Sequence, residues 1–86
     1  MPMSKEELLS RVSELIRQVT EARFAGAEYA KLARAHGYAD GYMRALMDAA
    51  LVDREALLKI VGQARQATID AQDARHEVGS GARRAA

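Results

Sequence analysis

An 86-residue chain with no cysteine forms one small domain at most, and no disulfide can reinforce its limited core. Its 13 basic and 12 acidic side chains nearly cancel. With Arg83 and Arg84 set apart in the tail, residues 1–78 hold 11 basic against 12 acidic groups, which leaves no overall field for phosphates.

No run of about 18 apolar residues is present to span a bilayer, so no membrane partner is expected. Ser4-Lys5-Glu6-Glu7 interrupts the stretch where a signal peptide needs apolar residues, and the expectation is a cytoplasmic protein. The only proline is Pro2, and alanine is frequent, which favours an all-α fold.

Residues 1–3 are expected to be flexible. Ser4-Lys5-Glu6-Glu7 then reads as a capping box, with Met3 and Leu8 placed as a hydrophobic staple. Apolar or small residues follow in alternating steps of four and three, at Leu8, Val12, Leu15, Val19, Ala22, Gly26, Tyr29 and Ala33. This spacing predicts one long helix over about 4–36, with Gly37 as its stop and His36 in its last turn. Glu7/Arg11, Arg17/Glu21 and Glu28/Lys31 are expected as solvated pairs on its outer face.

Tyr38-Ala39-Asp40-Gly41-Tyr42 reads as a corner, followed by a short helix over about 41–51 that buries Met43, Leu46, Met47 and Ala50. Asp53 is the expected N-cap of a third helix over about 54–78, with Val52 and Leu57 as a second staple. Its seam is Leu57, Ile60, Ala64, Ala67, Ala71, Ala74 and Val78. Folded back antiparallel to the first helix, Ala67–Val78 would lie against Leu8–Val19, small side chains meeting large ones. Residues 79–86 carry no pattern and are expected to be disordered.

The predicted architecture is therefore an all-α fold of long, short and long helices, an antiparallel hairpin or bundle in one domain over 4–78, completed by homodimerisation. The dimer is invoked because Ala22–Leu32 would be apolar nearly all round a single helix. Phe24, Ala27 and Leu32 are the candidate self-association residues. A second surface for an unidentified protein partner would include Tyr38, Tyr42, Leu58, Gly62 and Ile69.

Candidate chemistry is sparse. His36 and His76 have no Cys, His or carboxylate partner at a ligand spacing, and no metal or cofactor is expected. The serines lack a His and carboxylate behind them, and the carboxylates fall at helical spacing from Arg and Lys, so no catalytic residues are assigned. The functional expectation is a self-associating protein–protein interaction module: a scaffold, adaptor, chaperone or regulator without enzymatic activity. The alternative is a DNA-binding regulator that uses 43–78 as a helix-turn-helix-like hairpin, with Arg54, Lys59, Arg65, Arg83 and Arg84 reaching the duplex.

Overall fold

The computed structural model describes residues 3–85, with side chains through Arg75. Three helices follow one another: α1 (Lys5–Phe24), α2 (Tyr29–Asp48) and α3 (Arg54–Ala85). The middle helix is as long as the first, 20 residues each, and α3 has 32. The expected pattern of long, short and long helices is thus corrected: the chain breaks at 25–28 and runs through 37–42 without a corner. His76 and Val78, and the expected disorder of 79–86, lie outside the residues whose side chains are described.

The break has a local cause. Gly26 adopts φ 73°, the left-handed conformation that glycine takes without a Cβ clash. Its N–H donates to the Arg23 carbonyl at 3.1 Å, and the Ala27 N–H donates to the Ala22 carbonyl at 3.0 Å. These two bonds make a Schellman motif that satisfies the last carbonyls of α1. The same pair of bonds ends α2, from Ala50 to Met47 and from Leu51 to Leu46. Here Ala50, which has a Cβ, holds the positive φ of 56°.

Two helix starts are as the sequence predicts. Ser4 Oγ accepts from the Glu7 N–H at 3.1 Å while the Glu7 carboxylate accepts from the Ser4 N–H at 3.2 Å. Asp53 Oδ1 accepts from the Ala56 N–H at 2.7 Å, and Val52 and Leu57 are both buried beside this cap. Glu28 at the start of α2 makes no side-chain cap bond.

The central helix is α1. It packs against both α2 and α3, whereas α2 and α3 barely meet each other. The core is built from Leu8, Val12, Leu15, Ile16 and Val19 of α1, Ala39 and Leu46 of α2, and Val52, Leu57 and Ala64 along the approach to and first half of α3. Val12, at 0% exposure, is its best-enclosed member. The 4-3 stripe of α1 thus ends at Val19. Beyond it Tyr29 and Ala33 are exposed, and α2 turns a different row inward, Leu32, Ala35, Ala39, Tyr42 and Leu46.

Because the chain reverses twice, α3 runs parallel to α1. Lys5 shares a recess with Val52 and Arg54, Arg17 shares one with Ala64 and Thr68, and Phe24 shares one with Ile69. This corrects the expected antiparallel pairing of the first and last helices: Leu8–Val19 lies beside the first half of α3 instead of Ala67–Val78. Within α3 the inward row is Leu57, Val61, Ala64 and Thr68, while Ala67 and Ala71 are exposed. Thr68 is buried without loss because its Oγ1 donates to the Ala64 carbonyl at 2.9 Å.

Candidate functional site: an open seam between the second and third helices

With α2 and α3 both resting on α1 but scarcely on each other, a trough runs between them. Two facing rows line it. His36, Asp40, Met43, Arg44 and Met47 fall at steps of four, three, one and three along α2, so they share one side of that helix. Arg54, Leu58, Val61, Arg65 and Ile69 do the same along α3 at steps of four, three, four and four. The helices are antiparallel, so Met47 lies toward Arg54 and His36 toward Ile69.

The trough has two parts that share Asp40 and Arg65. The inner part, about 140 Å³, is floored by Ile16, Val19 and Ala39 and closed at one end by Arg23 and Phe24. It is smaller than the roughly 300–1,000 Å³ of typical small-molecule sites. The outer part, about 500 Å³, is wide open along Met43, Met47, Leu58 and Val61. Met47 is 42% exposed and Leu58 61%, although large apolar side chains on facing helices ordinarily bury one another.

Charge in the trough is uneven. Arg44, Arg54 and Arg65 line its outer part, with Asp40 as the one carboxylate there. Asp40 Oδ2 already faces His36 Nδ1 at 3.1 Å, a pairing across one turn made possible because α2 runs unbroken through Gly37. The helix stop that the sequence predicts at Gly37 would have separated those two residues; its absence brings them together. Among the described residues, none of the trough arginines belongs to an ion pair.

The other charged cluster is on α1, where Arg17 and Glu21 border Ala64 and Thr68 of α3. Arg17 donates to both Glu14 and Glu21, and its hydrogen bond to Glu14 is the main reason that carboxyl is lowered from 4.5 to about 2. Both acids in turn raise the Arg17 guanidinium above its ordinary range. The cluster is an exposed ion-pair network of the ordinary kind. No group of three or more His, Cys, Asp or Glu able to hold a metal occurs among the described residues.

The structure sorts the residues singled out in the sequence. Leu58 and Ile69 of the expected partner surface lie in the trough. Tyr38 and Tyr42 instead stack on each other along α2, ring centres 6.5 Å apart, and Gly62 is exposed on α3 outside the trough. Phe24, Ala27 and Leu32 do not share one helix: they occupy the end of α1, the connecting turn and the start of α2. Arg54 and Arg65 share the trough wall, whereas Lys59 is exposed elsewhere on α3. The side chains of Arg83 and Arg84 lie outside the described residues.

Sequence reasoning missed Arg44 and the opposed placement of Met43 and Met47. The periodicity expects both methionines on the buried face of a short helix; Met43 does pack half-buried against the core, whereas Met47 is 42% exposed. Their spacing of four was the available signal, but only the neighbouring helix shows that the row faces a gap.

No helix among the described residues is long and apolar enough to cross a membrane. No protein-family profile, no curated protein and no solved structure matches the chain.

Proposed function

We propose that the chain is a small protein–protein interaction module that holds a partner's helix in the seam between α2 and α3 and carries out no chemistry of its own. The observation behind this reading is the pair of facing apolar rows, exposed at Met47 and Leu58, with α1 beneath them. A fourth helix in the seam would bury both rows at once, as the last helix of a four-helix bundle does. Replacing Leu58 with Glu removes the most exposed large apolar side chain of the outer trough and, at 61% exposure, leaves the core untouched.

The test is affinity purification of the native chain and of Leu58→Glu from source cells, after circular dichroism has shown equal helix content. A protein that accompanies the native chain at fixed stoichiometry and is lost with Leu58→Glu supports the reading. Identical associations for both chains overturn it.

Self-association is a second reading, favoured by Phe24 and Tyr29, which are 51% and 87% exposed at the same end of the bundle. Light scattering across concentration tests it: a mass near twice 9.4 kDa that Phe24→Glu returns to one chain supports a dimer through this end. A DNA-binding role would draw on Arg54 and Arg65, but α2 and α3 form a hairpin of two long helices. Helix-turn-helix readers cross theirs at about 90–120°. A gel shift that salt and Arg54/Arg65 neutralisation abolish would favour that role.

A further inference from the structure

Resting on the seam as a helix-docking site, we infer that its occupant is an amphipathic helix of another protein, with acidic residues flanking its apolar stripe. The whole chain carries a net charge of only +1, yet three arginines stand along the outer trough against one carboxylate. That carboxylate, Asp40, faces His36, whereas Arg44, Arg54 and Arg65 have no ionic partner among the described residues. Each guanidinium presents a planar fork of donors suited to a carboxylate, and the three line the same recess as the apolar Met43, Leu58 and Val61.

Size and chemistry agree with a helix. From Arg54 to Ile69 the wall of the trough spans about 22 Å at 1.5 Å per residue, room for a helix of about 15 residues. The two methionines offer a deformable apolar surface of the kind that accepts varied helical side chains.

A second copy fits less well. The apolar row of α1 is already buried in its own core, so it cannot be offered to a neighbour without unfolding. Two seams brought face to face would set arginines against arginines. An acidic helix supplies both the missing apolar contacts and the missing countercharge.

The probe is a synthetic, end-capped 15-residue peptide with Leu at i, i+3, i+4, i+7 and i+11 and Glu on both flanks, labelled and titrated with the full chain by fluorescence anisotropy. Two control peptides replace Glu by Lys or scramble the Leu spacing at constant composition. The acidic peptide is expected to saturate at 50 mM salt and to bind about tenfold or more tightly than either control, about 1.4 kcal/mol by the affinity relation. Arg44→Glu/Arg65→Glu, both exposed positions, is expected to reverse the preference toward the Lys peptide while retaining helix content.

Equal binding of the Glu and Lys peptides overturns the acidic partner but leaves helix docking in place. Absence of saturable binding by every peptide overturns the acidic partner, and helix docking falls with it only if the purified associations are also insensitive to Leu58→Glu. A doubled mass in light scattering that Arg44→Glu/Arg65→Glu or Leu58→Glu abolishes makes the occupant a second copy, and overturns the inference as well.

Discussion

Ala50 and Gly26 occupy the same position in two equivalent helix-ending motifs, and only one of them is suited to it. A left-handed backbone brings a Cβ too close to the following carbonyl, at a cost of roughly 1–2 kcal/mol. Ala50 bears that strain at φ 56°, while Gly26 avoids it at φ 73°. Ala50→Gly is therefore expected to stabilise the fold by about 1 kcal/mol and Gly26→Ala to destabilise it by a similar amount. Urea unfolding measures both, and equal signs for the two would refute the shared motif. Glu14 supplies a residue-level pH prediction. Its carboxyl is lowered to about 2, so the stability gained from Arg17 is present above 4.5 and is lost as pH falls toward 2. Solvent exposure keeps that contribution small, so the direct check is NMR: the Glu14 carboxyl should titrate near 2 and return toward 4.5 in Arg17→Ala.

At the scale of the element, α2 is the unexpected one. Gly37 and Gly41 look like punctuation in the sequence, yet they sit inside a continuous 20-residue helix. Their flexibility is a helix-interior penalty of about 0.5–1 kcal/mol each relative to alanine. A Cβ added at Gly37, Gly41 or Gly62 would meet nothing within 4 Å. Alanine at these three positions is expected to raise the melting temperature stepwise, as thermal circular dichroism would show. A fall for any one of them would mean that its bare backbone is covered by something in solution. The helix survives its glycines because Ala39 and Leu46 anchor its inner face on α1, burial outweighing local propensity.

At the scale of the whole molecule, stability rests on α1, because α2 and α3 each lean on it and little on each other. Ile16 illustrates the dependence: it is buried and floors the recess bounded by Ala39 of α2 and Ile69 of α3. Ile16→Ala is expected to cost about 2–5 kcal/mol, a large part of the total stability of a small domain, and to loosen both flanking helices together. Hydrogen exchange would report it as lost protection in α2 and α3 alike, while loss in one alone would contradict the central role of α1. The sequence determined the all-α class, the starts of α1 and α3 and the inner row of α1 as far as Val19, because caps and short-range periodicity depend on residues only three or four apart. The row continuing through Gly26 and Tyr29, which the periodicity extends as the seam of the same helix, is not core: α1 ends at Phe24 and Tyr29 is exposed. The seven-residue rhythm crosses a helix end without interruption, and the glycine that stops α1 also fits a small-residue place in the stripe. Tertiary structure decided the rest: the reversal at 25–28 turned a hairpin into three helices and made α3 parallel to α1. The candidate site was legible only at Leu58, Ile69, Arg54 and Arg65, since a seam is a property of two helices held apart by a third, and no single stretch of sequence encodes that separation.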